Sequence, residues 1–364
     1  MNQKIIISVI VLSMLVTMSA WGQTEVVKRT QNNTSASKKT SAPKNPWQWH
    51  RDFDDYDLAP AMGRNNKMGL IDRTGKILSP FVWISMYEEY DGMYLVEDDN
   101  RKWGALNTAG KLVVPCKWVE VNLFSEGLAG VKDDNGKYGF VDKTGNLVAS
   151  CIYDGVGYFH EGLAWVGING KGVGFVDKSG QLVIPHNWSK AENFSEGLAL
   201  VIGGQNAGFI DKTGTVVIRK NWKEAGSFRE GLAAVKDQND CWGFIDKTGT
   251  VVIPCKWKNV HNLFDTPRFS EGMAAVRDGN DKWGFIDKNG TLVVPCQWRS
   301  VLTFHEGMAC VRDTNGKYGA VDKTGKLVVP CKWELSFKFE NGRAEVSGAN
   351  HKSYTINKKG QIVK

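Results

Sequence analysis

One phrase, repeated at a nearly constant interval, limits what this chain can fold into. Its clearest copy runs from Trp283 to Trp298 and reads Trp-Gly-Phe-Ile-Asp-Lys-Asn-Gly-Thr-Leu-Val-Val-Pro-Cys-Gln-Trp. A glycine marks the second position of eight copies, at intervals of 34 or 35 residues with one of 41: Gly69, Gly104, Gly139, Gly174, Gly208, Gly243, Gly284 and Gly319. A degenerate ninth copy begins at Tyr354. Such a repeat predicts one body of stacked units rather than separate globular domains.

Each unit contains three short apolar runs. Run one is Glu-Gly-Leu-Ala-x-Val, as at Glu196–Val201; run two is aromatic-Gly-Phe-Ile-Asp, as at Trp242–Asp246; run three is Leu-Val-Val-Pro-Cys-x-Trp, as at Leu292–Trp298. Their short length and β-branched residues favour strands. Asn-Gly and Asp-Lys-Thr-Gly segments join them as hairpin turns. We therefore predict a three-stranded antiparallel meander per unit, in which the proline, such as Pro295, ends pairing because it lacks an N–H. About eight residues then cross to the next unit.

Aromatic residues make up 11% of the chain and include 14 Trp, an excess that two repeated positions explain. One closes run three, and the other precedes the Glu-Gly pair of run one. A single meander has too small a core to stand alone, so we expect these rings to pack between units. The first set is Trp83, Trp118, Tyr153, Trp188, Trp222, Trp257, Trp298 and Trp333, and the second is Phe124, Phe159, Phe194, Phe228, Phe269, Phe304 and Phe339.

The first 46 residues have a different character. Residues 1–22 resemble a secretory signal peptide, with Lys4 before an apolar run from Ile5 to Met18 and small residues near a cleavage site before Gln23. An uncleaved anchor is the alternative. Residues 23–46 are polar and lack periodic apolar residues, which predicts a disordered linker before a repeat array at 47–364. The sequence thus predicts an exported protein: periplasmic, cell-surface or secreted, with no membrane span in the mature chain.

Charge argues against a nucleic-acid partner. The net charge is +7, but residues 1–50 hold six basic residues and one acidic residue, a net of +5 that leaves +2 for the other residues. The repeat region therefore has no broad basic surface for a nucleic acid.

The recurring phrase, followed by Val-Ile-Pro and Phe-x-Glu-Gly-Leu-Ala, resembles the bacterial WG repeat, also called the KWG repeat. The resemblance covers about residues 53–364 and implies an all-β repeat protein, often of the bacterial envelope, with no shared activity. About nine units of this kind form either an open twisted array or a closed β-propeller. Each unit is continuous in the sequence, so no unit combines strands from both ends of the chain in the way that closes many propellers. The units are also shorter than common propeller blades. We therefore predict the open array.

Polar residues at repeated positions are interpreted as structural. A turn Asp or Asn recurs nine times, and its nearness to a turn glycine predicts hairpin capping rather than catalysis. A calcium site in loops such as Asp133–Gly136 is the alternative, although no known calcium-loop spacing is present. The recurring Glu of run one receives the same structural interpretation. We predict no catalytic residue, no cofactor and no metal.

Seven cysteines are present, five of them at one repeat position: Cys116, Cys151, Cys255, Cys296 and Cys331. No Cys-x-x-Cys pair occurs, which argues against zinc. Disulfides are permitted in an exported protein, but a whole repeat separates neighbouring cysteines. We therefore interpret them as small, buried apolar residues.

Departures from the repeat are the better functional candidates. They are Trp165, at a slot that holds Gly130 and Leu200 in neighbouring units, and the ends of the insertion His261–Arg268. A Trp can stack on a sugar or a peptide, and local repacking is the alternative. We therefore predict a non-enzymatic exported repeat protein whose extended surface binds an unknown protein or cell-envelope glycan. The alternatives are a carbohydrate-active or other hydrolytic enzyme and a structural spacer.

Overall fold

In a computed structural model, the described residues are 46–87, 89–204, 206–258 and 268–363. They belong to one compact unit that begins at Pro46. The predicted signal peptide and all of the predicted linker except Pro46 lie outside the described residues.

The unit consists of nine antiparallel sheets, each formed by strands that follow one another in the chain. Sheet 1 contains β1 (Trp47–His50), β2 (Leu58–Gly63), β3 (Met68–Asp72) and β4 (Ile77–Trp83); sheet 2 contains β5 (Ser85–Met86), β6 (Met93–Glu97), β7 (Trp103–Asn107) and β8 (Leu112–Trp118); sheet 3 contains β9 (Glu120–Val121), β10 (Leu128–Lys132), β11 (Tyr138–Asp142) and β12 (Leu147–Tyr153). Sheet 4 contains β13 (Gly155–Val156), β14 (Leu163–Ile168), β15 (Gly172–Asp177) and β16 (Leu182–Trp188); sheet 5 contains β17 (Lys190–Ala191), β18 (Ala199–Gly203), β19 (Asn206–Ile210) and β20 (Val216–Trp222); sheet 6 contains β21 (Glu224–Ala225), β22 (Leu232–Lys236), β23 (Trp242–Asp246) and β24 (Val251–Trp257). Sheet 7 contains β25 (Met273–Arg277), β26 (Trp283–Asp287) and β27 (Leu292–Trp298); sheet 8 contains β28 (Ser300–Val301), β29 (Met308–Arg312), β30 (Tyr318–Asp322) and β31 (Leu327–Trp333); sheet 9 contains β32 (Arg343–Ser347), a short 3-10 turn (Ala349–His351), β33 (Ser353–Asn357) and β34 (Ile362–Val363).

The predicted meander of three strands is present in all nine sheets, and seven sheets carry a fourth strand that the sequence did not predict. In sheets 2 to 6 and sheet 8 this strand forms within the residues assigned to the crossover, and in sheet 1 it is β1, which precedes the first meander. In sheet 3, for example, Val121 and Glu120 pair with Val131 and Lys132 of run one. Without that partner, the run-one strand would present unpaired N–H and C=O groups at the sheet edge, so the crossover satisfies them on its way to the next unit.

The prediction that proline ends pairing is wrong. β27 continues through Pro295 to Trp298, and its register with β26 shifts on the way, as in a bulge. Because β27 is an edge strand, the ladder does not need an N–H at the proline, and bulges at edges accommodate this residue. Proline therefore protects the outer edge of the sheet without ending the strand.

The predicted aromatic packing between units is confirmed. Eight of the nine apolar clusters join one sheet to the next. At the junction of sheets 7 and 8, the rings of Phe285 and Phe304 meet edge to face with centroids 4.8 Å apart. Four other junctions repeat this pair, and the Trp position is buried or half-buried in each of sheets 1 to 8. Such edge-to-face pairs add to the stabilisation from apolar burial.

The two ends of the array support the open arrangement. Among the described residues, no apolar cluster joins sheet 1 to sheet 9. The last four residues of run one, from the Leu or Met to the Val, are buried or half-buried in sheets 2 to 8, whereas in sheet 9 burial alternates and leaves Arg343 and Glu345 exposed. A polar outer face of this kind is what a terminal repeat needs. At the other end, Trp47, Phe53 and Phe81 cover the face of sheet 1 opposite the one that packs on sheet 2.

Glutamates of run one hold consecutive sheets together. In the turn before β10, Glu126 and Gly127 both have positive φ, 53° and 90°, which Asn tolerates better than Glu. Contacts with the next sheet explain why a Glu occupies this position. The Glu126 carboxylate accepts the N–H groups of Glu161 at 2.6 Å and Gly162 at 2.9 Å, and the Nζ of Lys178 lies at 3.0 Å.

This contact recurs at seven consecutive junctions, from sheets 2 and 3 to sheets 8 and 9, and we call it the carboxylate ladder. Its acids are Asp91, Glu126, Glu161, Glu196, Glu230, Glu271 and Glu306; its glycine N–H donors are Gly127, Gly162, Gly197, Gly231, Gly272, Gly307 and Gly342; its lysines are Lys143, Lys178, Lys212, Lys247, Lys288, Lys323 and Lys358. Sheet 9 is the last sheet of the described residues, and its turn carries Asn341 instead of an acid. The Glu is therefore an inter-sheet residue as well as a turn residue.

The ladder predicts acid sensitivity. Burial disfavours the charge on Glu126, but hydrogen bonds from Lys178 and the turn amides hold its pKa below the usual value of 4.5. The Gly342 N–H and Lys358 likewise lower the pKa of Glu306. Groups with depressed pKa stabilise the fold above their unfolded pKa and lose that effect as pH falls through their folded pKa. We expect the free energy of unfolding to fall most steeply below about pH 4.5, measured by urea titration across pH. A main loss centred above pH 6 would contradict this.

Candidate functional site

The turn aspartates cap hairpins, as predicted. The Oδ1 atom of Asp246 accepts the N–H groups of Thr248 at 2.9 Å and Thr250 at 3.0 Å, and the Thr248 hydroxyl at 2.6 Å. The hydroxyl bond is the leading cause that holds the pKa of Asp246 below its usual range. Most equivalent acids make the same bonds. These carboxylates therefore form hydrogen bonds within their own turns.

The loop considered for calcium is occupied in the same way. Asp133 accepts the N–H groups of Asn135 at 3.0 Å and Lys137 at 2.9 Å, and Asp134 forms an ion pair with Lys102 of the preceding sheet. Within the described ranges, no three or more His, Cys, Asp or Glu side chains are placed to hold a metal ion.

All seven cysteines are free thiols; Cys310 is buried and the others are half-buried. The five at the shared position lie against the inter-sheet cores, as Cys296 does at the junction of sheets 6 and 7. This placement fits small apolar residues, although the five are half-buried rather than buried as predicted.

The feature that stands apart from the repeat is a cavity of about 310 Å³ where sheets 7, 8 and 9 succeed one another. Its apolar lining includes Leu302, Met308 and Phe337, and its basic lining includes Arg268 and Lys338. The remaining described lining residues are Ser270, Thr303, Phe304, His305, Cys310 and Phe339. None of these is a carboxylate. The cavity therefore combines an apolar wall with positive charge.

The cavity lies at a junction that lacks the repeated aromatic pair. Run two of sheets 3 to 7 carries a Phe that meets a ring of the following sheet, whereas sheet 8 has Ala320 there, as sheet 2 has Ala105. Phe339 meets Phe337 instead, with centroids 5.8 Å apart. Phe337 occupies a slot that holds Gly157 or Leu302 in other units. Removing a ring from a packed junction leaves space unless neighbours fill it completely.

Two polar groups of the lining are held in place by the fold. His305 precedes the turn of run one, and its Nδ1 lies 2.9 Å from the carbonyl oxygen of Phe339 in the next sheet. Ser270 uses the same position of its unit to donate a hydrogen bond to the Phe304 carbonyl at 2.9 Å. These bonds fix both side chains between consecutive sheets, so they shape the cavity wall.

Cys310 is a poor nucleophile in this site. Burial raises the pKa of its thiol to about 12, and the Phe337 N–H acts in the opposite direction. At pH 8 the thiolate fraction is on the order of one part in ten thousand. We expect Cys310 to resist an aromatic disulfide reagent in the folded protein and to react after unfolding, with mass mapping of labelled peptides as the measurement. The half-buried Cys241 is the matched control. Fast native labelling of Cys310 would contradict this placement.

Trp165 lies on β14 of sheet 4 and is half-buried. A side chain at Gly157 would collide with it, since a Cβ there would lie 2.2 Å from the Trp165 Nε1. The same point lies 2.8 Å from Oδ1 of Asn193, a buried oxygen without a hydrogen-bond partner among the described residues. The indole thus packs against the backbone of Gly157, which favours local repacking.

The structure does not bring the three predicted residues together. Arg268 lines the cavity, Trp165 packs at the junction of sheets 4 and 5, and His261 lies outside the described residues. Sequence analysis missed Cys310, Phe337 and Lys338. Ala320 and Phe337 were the available signal, but an exchange of one apolar residue for another inside a strand resembles ordinary variation.

Comparisons with solved structures found similar proteins. The chain is similar to the structure described as "Crystal structure of the eukaryotic initiation factor", with a TM-score of 0.55 and 11% identity over 84% of this chain and 94% of that chain. BamB from Moraxella catarrhalis gives a TM-score of 0.41 and 10% identity over 76% of this chain and 99% of that chain. The first score indicates a shared fold, and the second is too low to do so. A comparison with curated protein sequences found no match.

Within the described ranges, no helix is long and apolar enough to cross a bilayer. The model of the WG containing repeat matches residues 68–101, 103–138, 138–171, 174–202, 208–240, 242–282, 283–318 and 318–347. These matches cover most of the sequence and coincide with the stacked sheets, and the chain therefore belongs to the family of WG containing repeat proteins.

Proposed function

We propose that this chain is an exported, non-enzymatic repeat scaffold that binds a partner protein through the cavity at sheets 7 to 9. The cavity is the observation that carries the proposal. Its volume of about 310 Å³ lies at the lower end for ligand pockets and suits one side chain or a small group. Buried anchor residues in such pockets supply much of the energy of a protein interface.

The chemistry of the lining favours a protein over a glycan. Stacking on a sugar requires an exposed aromatic face, but Phe304, Phe337 and Phe339 are all buried, with at most 6% of each side chain exposed. An apolar side chain from a partner needs only van der Waals contact with such a wall. An envelope glycan remains the alternative outcome of the binding test.

The proposed absence of catalysis is supported by the same lining. Hydrolytic catalysis by paired carboxylates needs two acids in distinct environments. The described lining contains none, and the buried Cys310 thiol is held protonated. Glu192, whose pKa desolvation raises, and His186, whose pKa burial lowers, both lie outside this lining.

Export is supported by the apolar run near the N-terminus. Expression of the full chain in a bacterial host should give a protein that begins at Gln23 and is recovered outside the cytoplasm. N-terminal sequencing of the recovered protein is the measurement. A cytoplasmic protein that begins at Met1 would contradict export without bearing on the cavity.

Capture from cell-envelope extract tests the binding role. The protein purified from cells expressing the full chain serves as bait, beside Lys338→Glu and Cys310→Leu. Leucine fits this slot in another unit, as Leu200, and would narrow the cavity. Ser227→Glu is the matched control because it occupies the position of Lys338 in sheet 6. We expect one protein to be retained by the wild type and the control and lost by both cavity variants. Equal retention by all four, or retention of a glycan alone, would overturn the proposal.

A further inference from the structure

We propose that the cavity receives the carboxy-terminal residue of a partner protein, with an apolar side chain and a free α-carboxylate. This inference rests on the proposed function and names the chemistry of the partner's anchor. It follows from the size of the cavity, the composition of its wall and the charges at its rim.

The volume of the cavity limits the size of the group that can bind in it. A cavity of about 310 Å³ admits one residue rather than a folded surface or a long strand. The apolar wall of Leu302, Met308 and Phe337 selects an apolar side chain, since burying a polar one without a partner costs free energy. The anchor is therefore one apolar side chain with the backbone atoms next to it.

The charged side chains around the cavity determine which charge a bound group should carry. The basic side chains of Arg268 and Lys338 belong to the lining, and no carboxylate belongs to its described part. Glu340 pairs with Lys338 at 3.1 Å from outside the lining, so this lysine is already directed toward a carboxylate by an exposed ion pair. Exposed pairs of this kind are weak and are readily exchanged for another carboxylate. The site thus offers the exposed ammonium group of Lys338 beside its apolar wall.

A carboxy-terminal residue supplies both an apolar side chain and a negative charge. In the interior of a polypeptide, an apolar residue carries no charge of its own. At the carboxy terminus, the same residue carries a carboxylate one carbon atom from the start of its side chain. A hydrogen-bonded or ion-paired carboxylate contributes more to binding than a neutral group at the same place. The geometry therefore favours a terminal residue over an internal one.

Peptide binding tests this inference with the full-length protein. The probes are an acetylated Gly-Ser-Gly-Leu peptide with a free carboxylate, the same peptide with a carboxamide end, and hexanoate. We expect calorimetry or NMR titration to show binding of the free acid at least about tenfold tighter than of the amide. Raising the salt concentration should weaken the acid more than the amide.

Two variants separate the role of charge from a loss of folding. Lys338→Gln should reduce the preference for acid over amide below about threefold while leaving thermal stability unchanged. Lys352→Gln, a basic residue of the same sheet that lies over the Tyr354 ring outside the lining, should keep the wild-type preference. Equal binding of acid and amide by the wild type would overturn the inference, as would no binding of either. Hexanoate binding as tightly as the peptide would also overturn it, because a small free acid would then be the ligand. Capture of an envelope protein by its internal residues would leave the proposed function intact.

Discussion

Replacing Phe285 with alanine is expected to destabilise the junction of sheets 7 and 8 by about 3–5 kcal/mol, the usual cost for a buried aromatic ring. Phe285 is 1% exposed, and its ring meets that of Phe304 at 4.8 Å in the cluster that joins these sheets. Truncation removes the edge-to-face pair and leaves a cavity between layers. The measurement is the free energy of unfolding from urea titration, with calorimetry to count transitions.

The form of the transition is expected to change as well. Apolar clusters among the described residues join only consecutive sheets, so stability resembles a sum of sheet and junction terms. A weak junction between sheets 7 and 8 should let sheets 8 and 9 unfold first, in a separate calorimetric transition. Val252→Ala, at an apolar residue that is 41% exposed, is the control and should change stability by less than about 0.5 kcal/mol.

The chain also supplies a rescue for this variant. Sheet 8 naturally has Ala320 at the position of Phe285, and there Phe337 of the next sheet packs on the ring of Phe339. The equivalent of Phe337 at the weakened junction is Leu302. Adding Leu302→Phe to Phe285→Ala should recover about 1 kcal/mol through coupling of neighbouring sites. A loss below about 1 kcal/mol for Phe285→Ala would show that the ring pairs are not a main source of junction stability.

Sequence reasoning succeeded where the cause of a structure is local. The Asp-x-x-Gly turns form because Asp246 bonds to amides two and four residues away, and the strand runs follow from β-branched and aromatic residues. The ring positions were predictable because their recurrence at one interval implies a shared contact between units.

Features that depend on how one sheet is positioned against the next could not be predicted from the sequence. Nothing near Glu126 in the sequence indicates that its carboxylate reaches the amide of Gly162, since that depends on how one sheet lies on the next. The crossover strand at Glu120 and the bulge at Pro295 likewise depend on which side of a sheet is left open. The cavity required both the missing ring at Ala320 and the position of Phe337 in the following sheet.

Replacing Glu126 with glutamine is expected to cost about 1–3 kcal/mol, because the change keeps the shape of the side chain but removes its charge. The side chain is 31% exposed, so solvent screening places the expected value in the lower half of that range. The variant loses the ion pair with Lys178 and weakens the bonds from the amides of Glu161 and Gly162. Urea titration at pH 7 and at pH 4 is the measurement. The difference between wild type and variant should begin to shrink at pH 4, because that pH lies below the ordinary Glu pKa of 4.5 and the unfolded wild-type chain then binds a proton that the folded carboxylate, with its lowered pKa, resists.

The reciprocal change at the end of the array decides what the ladder does. Asn341 has a φ of 53° in the turn of sheet 9, where no further sheet of the described residues offers an amide to a carboxylate. Asn341→Glu should therefore lose about 1 kcal/mol from backbone strain and gain nothing in return. If this turn residue acted only within its own turn, Asn341→Glu would destabilise the protein and Glu126→Asn would stabilise it by a similar amount, because both turns have the same positive φ. We expect both changes to destabilise, because Glu126→Asn also removes the contacts with the following sheet.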